Sequence, residues 1–485
     1  MSPLAHSRAA LALLAAVVAV AGPASAQSAA EREAQRLQGL LESYVGTPAP
    51  GDAATVTVAA QPGFYRVSLS LDRLARPLAA HGVAVDPAAL EISIAPRPDG
   101  TWRLFDIAYP PLTIRAGERT TLISLDGTVY EGVFDPVVAF SRSVTFTAAR
   151  LASESSGAGA SSRSEARDYR VESGTVASGP ETANTRATTT VRDVTQTMSL
   201  ELPLPALPDG RLVITTASAT QSLDVVLDEW KPRRILDLWA FLVAHAGPRL
   251  VPAKAELQSA LSAALPLWRR LAVVGGADGF SVRSGFGEIS AKHIGGGLRL
   301  GGLTRSSGLG LQLDASGLAV AGPNLPDWTK PLLPTDLALD ADLTGFDLEA
   351  GARILIDGLE PESERPFPAE VADRAAGAAL PANGFGLKVQ PGRLKAAVYE
   401  VGWQADLTVG KDAISGRATV TAKGLDRAIA ALKAGGPGTA AQATVGLYAA
   451  KALARREPDG TDVWVFTFDA KGRPLVNGKP LGGKG

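Results

Sequence analysis

Hydrophobic and polar residues alternate with a period of two along most of this chain, and with a period near 3.6 in a few short stretches. The first helical stretch is Ala29–Val45, where Leu37, Leu40, Leu41 and Tyr44 recur at helical spacing among Glu and Arg. Pro48, Pro50 and Gly51 end it. A meander of short strands follows: Thr55–Ala59, Phe64–Leu71, Leu90–Ala95, Thr101–Ala108, Leu112–Ala116, Thr120–Leu125 and Thr128–Phe134. Asp99-Gly100 and Asp126-Gly127 supply the positive φ that tight hairpins need. Ser143–Ala148 and Tyr169–Ala177 continue the pattern, and the Thr-rich Glu181–Thr197 reads as a long exposed strand. Ser153–Ser164 offers almost nothing to bury and reads as a mobile loop.

Two helices then interrupt the strands. Arg233–His245 carries the stripe Ile235, Leu238, Trp239 and Leu242, and Ala253–Leu271 carries Leu257, Leu261, Leu265 and Trp268. Gly247-Pro248 separates them. Strands return with Leu309, Leu311, Leu313 and Ala315, then with Leu337, Leu339, Ala341 and Leu343, each set alternating with residues that leave the opposite face wet. Val401–Val409, Arg417–Ala422 and Thr461–Asp469 are further strands, and Leu425–Lys433 and Thr439–Arg455 are helices. Three strands end at Gly followed by an apolar residue, at Gly317, Gly345 and Gly424, where Gly is expected to bend or bulge the strand. Helix followed by meander occurs in both halves, as a duplicated β-rich module would give. The fold class expected is α+β, with long curved antiparallel sheets and a few flanking helices. The expected organisation is a β-rich region over 27–228, a helical connector over 229–271 and a second β-rich region over 272–485.

Met1–Ala26 changes the compartment. Arg8 precedes an apolar run from Ala9 to Ala21, and Ala24-Ser25-Ala26 closes it with an A-x-A signature. This reads as a secretory signal cleaved before Gln27, too short for a permanent span. The expected location is the periplasm. The chain has no Cys, which excludes disulfides, thiolate catalysis and Cys-ligated metals. Removing Arg8 leaves 47 basic against 49 acidic residues, a balance that gives no general attraction to nucleic acid. No later segment is apolar for long enough to cross a membrane as a helix.

Candidate chemistry is sparse. Asp340, Asp342, Asp347 and Glu349 resemble a calcium cluster, but the first two occupy the wet face of a leucine strand. Of His81, His245 and His293, none has a second ligand at metal spacing. His293 with Ser281 or Ser284 would make a serine hydrolase, without the G-x-S-x-G elbow around either serine. Gly295-Gly296-Gly297 and Gly301-Gly302 fit strand turns rather than a phosphate loop. Lys231-Pro232-Arg233-Arg234 would meet anionic head groups or simply open a solvated helix. No catalytic, cofactor or metal residue is assigned. The ligand groove expected from the helices is lined by Leu238, Trp239, Leu242, Leu261 and Trp268.

The C-terminal part carries one resemblance. Gly416–Gly435 (GRATVTAKGLDRAIAALKAG), a helix, and then Val463–Leu481 (VWVFTFDAKGRPLVNGKPL) resemble the ending of uncharacterised Gram-negative exported proteins of the type called domain of unknown function 2125. Leu298–Phe346, with Pro326-Asp327-Trp328, fits the same style. The resemblance implies an envelope location and an extended α+β fold, and lends no catalytic residues. The function expected is non-enzymatic binding of an apolar or amphipathic envelope component, a lipid foremost. The alternatives are a structural or interaction protein of the envelope, whose partner is another envelope protein, and the serine hydrolase.

Overall fold

The structure is a computed structural model. It describes residues 27–46, 53–71, 82–86, 89–202, 210–245, 250–363, 365–381, 384–410, 413–435, 439–469 and 472–480. The expected signal over Met1–Ala26, His81 and the Gly247-Pro248 break lie outside them. The fold is α+β, dominated by antiparallel strands. Contacts divide the chain into two units: 1–212 with 222–271 and 352–374, and 213–221 with 272–351 and 375–485. The residues read as a connector between two β-rich regions therefore group with the first unit.

The first unit begins with helix α1 (Gln27–Val45). Its strands are β1 (Val56–Gln61), β2 (Phe64–Ser70), β3 (Val83–Asp86), β4 (Ala89–Pro96), β5 (Trp102–Ala108), β6 (Leu112–Ala116), β7 (Arg119–Asp126), β8 (Val129–Asp135), β9 (Phe140–Gly157), β10 (Ala160–Ala177) and β11 (Ala183–Glu201). β12 (Arg211–Trp230) has its middle stretch in the second unit. Pairing runs β1-β2-β4-β5-β8-β9-β10-β11, all antiparallel, with β7, β6 and β3 continuing from the distal part of β9. The two-residue period puts Val67, Leu69, Ile92, Ile94 and Leu104 on one face, and the apolar stripe of α1 closes it. Leu37 from that stripe has no exposed surface, and Trp102 and Phe134 are almost as deeply buried.

The Ser/Gly tract is a correction. Ser153–Ser164 is not a loop: it is the distal end of the β9–β10 hairpin. Gly157 pairs with Ala160 across a two-residue turn, Ala158-Gly159, whose residues both have positive φ (52° and 71°). That is the turn geometry that matches strand twist. The tract buries little, but β7 pairs with β9 on one side and β11 with β10 on the other, so its backbone groups are satisfied by ladders.

The helices of 229–271 are α2 (Pro232–Ala244) and α3 (Lys254–Ala264). The second is shorter than expected. Leu265 turns to extended backbone and Pro266, without an N–H, cannot continue the ladder, so Trp268 stands beyond the helix and β13 (Arg270–Ser284) starts at once.

The second unit contains β14 (Gly287–Gly301), β15 (Ser307–Ser316), β16 (Ala319–Ala321) and β17 (Pro334–Phe346). Two helices missed by the periodicity reading follow β17 in the chain, α4 (Leu348–Asp357) and α5 (Ala369–Ala379), of which the residues within 352–374 group with the first unit. Then come β18 (Phe385–Ala396), β19 (Glu400–Val409), β20 (Ile414–Lys423), α6 (Leu425–Ala434), α7 (Thr439–Leu453), β21 (Arg455–Arg456), β22 (Asp462–Phe468), β23 (Pro474–Val476) and β24 (Lys479–Pro480). Antiparallel pairing runs β14-β15-β17-β18-β19-β20-β22-β23-β24. Gly317, Gly345 and Gly424 all have positive φ (60°, 98° and 79°). Gly317 and Gly424 follow the last residues of β15 and β20 with a left-handed turn, and Gly424 also starts α6. Gly345 lies inside β17 and is passed over between Thr344 and Phe346, which face the consecutive residues Gly308 and Ser307, so there the expected bulge forms.

Two outcomes test this architecture. Leu37→Ala removes a fully buried side chain from the α1–sheet contact and should cost about 2–5 kcal/mol in a urea titration; a cost below about 1 kcal/mol would mean that α1 does not close this core. The hairpin tip 153–164 should resist limited proteolysis of the native protein, and rapid cutting there would restore the loop reading.

Candidate functional site

The expected groove does not form as a unit. α2 and α3 pack on each other, and α2 also packs on α1. Leu238 and Leu261 are half-buried, whereas Trp239 and Leu242 are exposed on α2. Trp239 is used structurally: its indole N–H donates to the Tyr44 carbonyl at 2.8 Å. Trp268, beyond the helix, shares no helical stripe with Leu261.

The basic cluster is committed as well. Lys231 Nζ donates to the Leu265 carbonyl at 2.6 Å, at the C-terminal end of α3 where a cation is favoured. Arg233 donates to the Pro136 carbonyl at 2.8 Å, and Arg234 forks onto Glu181 with its closest contact at 2.6 Å. The acidic group is divided among separate tasks. Asp340 and Asp342 grip Arg299, Asp347 accepts the Ala350 N–H at 2.9 Å, and Glu349 faces Arg305 at 3.6 Å.

The apolar surface that stands out is a sheet face in the second unit. Cross-strand partners share a face, so the registers can be followed from strand to strand. Leu300, Leu309, Leu343, Leu387 and Leu407 form one row across β14 to β19. Leu298, Leu311, Ala341, Val389, Ala405 and Ala418 form the next, ending on Phe466 of β22. Beyond it Leu313 faces Leu339, and Trp403 faces Val420, which faces Trp464. A fourth row joins Ala315, Leu337, Leu394, Val401 and Ala422. No charged side chain occupies these positions.

The opposite face is charged in alternation. Asp342 faces Lys388, Lys388 faces Asp406, and Asp406 faces Arg417. A parallel row runs Asp336, Lys395, Glu400 and Lys423. Water solvates this side, and the leucine side needs cover. Among the described residues, helices cover it at one end: Ala422, Leu425, Trp464 and Val476 are buried, with Leu447, Ala450 and Ala454 packed on them. At the other end Leu298, Leu309, Leu311 and Leu313 keep 39–43% of their surface exposed.

His293 lies on the charged side. Its Nδ1 is 2.7 Å from Asp278 Oδ1 and its Nε2 is 3.1 Å from Asp314 Oδ2. Gly276 and Gly295 leave room for this arrangement, since a Cβ on Gly295 would come within 2.6 Å of the Asp314 carboxylate. A neutral imidazole donates from one nitrogen only, so satisfying both carboxylates requires the imidazolium. The Asp278 bond first, and then the negative charge of Asp314, raise the His293 pKa above its ordinary 6.5, against the opposing effect of partial burial. With both nitrogens on carboxylates, none is left to take a proton from Ser281 or Ser284. Ser284 Oγ instead accepts the Phe286 N–H at 3.2 Å. The sequence offered no way to find Asp278 and Asp314, because their approach depends on the pairing of three strands.

Compared with known proteins, the chain matches no family model, no curated protein and no solved structure.

The His293 cluster makes stability pH-dependent in a stated direction. The folded-state pKa is raised, so its contribution is fully present below about pH 6.5 and is lost as pH rises through the folded value. The wild-type urea midpoint, relative to that of His293→Gln, should therefore fall as pH rises above about 6.5. An unchanged difference above that pH would show that the imidazolium contributes nothing.

Proposed function

We propose that this chain is an exported envelope protein, related to the domain of unknown function 2125 type, that binds a lipid without transforming it. The observation that carries the reading is the leucine face of β14–β20, which is apolar across every strand yet uncovered at Leu298, Leu309, Leu311 and Leu313. Contiguous exposed apolar surface on this scale marks a binding surface or an aggregation liability. A hydrocarbon ligand resolves it at a gain of about 0.8 kcal/mol for each methylene buried. The lipid site moves from the helices at 232–264 to this face. The absence of a free nitrogen on His293 and the dispersal of the carboxylates both favour binding over catalysis.

The test is native mass spectrometry of the mature protein purified from its own envelope fraction. A reproducible added mass in the lipid range is expected. Leu311→Asp places a charge on the uncovered face and should abolish most of that mass while leaving the urea midpoint nearly unchanged, because the side chain is 43% exposed. A bare protein mass from the wild type would overturn lipid binding and leave a role in holding other envelope proteins.

A further inference from the structure

Helix α7 is apolar on the side turned away from the sheet. Its sequence, TAAQATVGLYAAKAL, carries no charge from Thr439 to Ala450. One side is committed to the sheet: Leu447 and Ala450 pack on the covered end of the leucine face, and Thr444 is buried. Trp464 Nε1 donates to the Ala450 carbonyl at 2.7 Å and Asn477 Nδ2 to the Leu453 carbonyl at 2.9 Å, so the helix is pinned there. A turn of 3.6 residues puts Val445, Ala449, Ala452 and Leu453 on the opposite side, all exposed. Val445 is 68% exposed and Leu453 50%. A helix without a charged face is ordinarily covered on every side.

Charge is the second, independent observation. From Lys423 to Gly485 the sequence has ten basic and five acidic residues, whereas the rest of the chain has 38 against 44. Part of the excess borders the bare side of α7. Lys433, near the end of α6, donates from Nζ to the Tyr448 hydroxyl at 2.9 Å and stands 5.2 Å from the centre of its ring. Tyr448 is itself exposed. Arg455 and Arg456 follow α7 directly, and both are exposed. The acids nearby are already engaged: Asp426 is shared by Lys451 and Arg456, and Glu457 takes Arg455 at 2.7 Å.

We propose that α7 docks the protein on an anionic lipid bilayer, lying in the head-group plane with Val445, Ala449 and Leu453 turned toward the acyl chains. Its 15 residues rise about 22 Å, short of the roughly 30 Å of a bilayer core, and its inner side is held by Trp464. It therefore lies on the membrane and does not cross it. Tyr448 suits the head-group level, and Lys433, Arg455 and Arg456 meet lipid phosphate there. Charge complementarity selects this occupant. A second copy docked face to face would bring two sets of these cations together, which repel. Docking does not depend on the lipid-binding reading, because the docking side of α7 is opposite the side that covers the leucine face.

The test is flotation of the full mature protein with vesicles of equal parts phosphatidylglycerol and phosphatidylcholine, and with vesicles of phosphatidylcholine alone. Binding is expected to the first and not to the second, and it should weaken as salt rises. Val445→Asp should weaken it by at least an order of magnitude, and Lys433→Gln combined with Arg455→Gln several-fold. The urea midpoint should stay near that of the wild type in each, because these side chains are exposed. Val445→Trp should shift its emission to the blue, relative to the wild type, when anionic vesicles are added. Leu311→Asp should float like the wild type, so that loss of docking and loss of a bound lipid are separate results. Equal flotation of wild type and Val445→Asp, equal binding to both kinds of vesicle, or no flotation would each overturn the docking. A dimer in sedimentation velocity that Val445→Asp dissolves would also overturn it and give the face to a second copy.

Discussion

Register is the constraint on which the second unit depends. Asp342 opposite Lys388, Lys388 opposite Asp406 and Asp406 opposite Arg417 form a row in which a shift of one residue in any strand would put a charge among leucines. Each exposed pair contributes only about 0.2–1 kcal/mol. Their value lies in the alternatives they remove. Arg299 adds a sharper pin, since its guanidinium reaches both Asp340 and Asp342 on a strand two places away. With the charged side fixed in this way, every leucine row on the other side is fixed as well.

The two units solve the problem of a one-faced sheet differently. In the first, α1 lies on the apolar face and Leu37 is fully buried, so the face is closed. In the second, α6 and α7 cover only the end formed by Ala422, Trp464 and Val476. Burial that stabilises the first unit is left undone along β14 and β15. A sequence under pressure for stability alone would place polar residues at Leu309, Leu311 and Leu313, since outward positions on a strand tolerate them at little cost. Keeping three leucines there is intelligible if something else covers them.

Much of this was legible in the chain because the strands are one-faced. The alternation at Leu309–Ala315 and Leu337–Leu343 gave β15 and β17, and the Asp-Gly pairs gave turns, with Gly100 and Gly127 both at positive φ. The Ser/Gly tract misled because composition measures what a segment can bury, whereas β9 and β10 are held there by backbone ladders and a two-residue turn. Trp268 was misplaced because the apolar spacing ran on through Pro266, which overrides it. The ligand site was least legible. The helices advertise Trp239 and Leu242 within a few residues, whereas the leucine face is assembled from rows that take one residue from each strand, and emerges only when the registers are known.

The charged and apolar faces also bear on each other through shared strands. Asp314, held by His293, is the immediate neighbour of Leu313, and Ile294 follows His293 on the strand that carries Leu298. Side chains alternate, so the Asp278–His293–Asp314 cluster and the uncovered leucines are opposite sides of the same two strands. Fixing β14 and β15 on one side limits how far the leucine rows can spread on the other. A sheet that presents apolar rows to a hydrocarbon chain must hold its pleat without help from a core on that side, and the ionic contacts of Arg299 and His293 supply that restraint from the wet side.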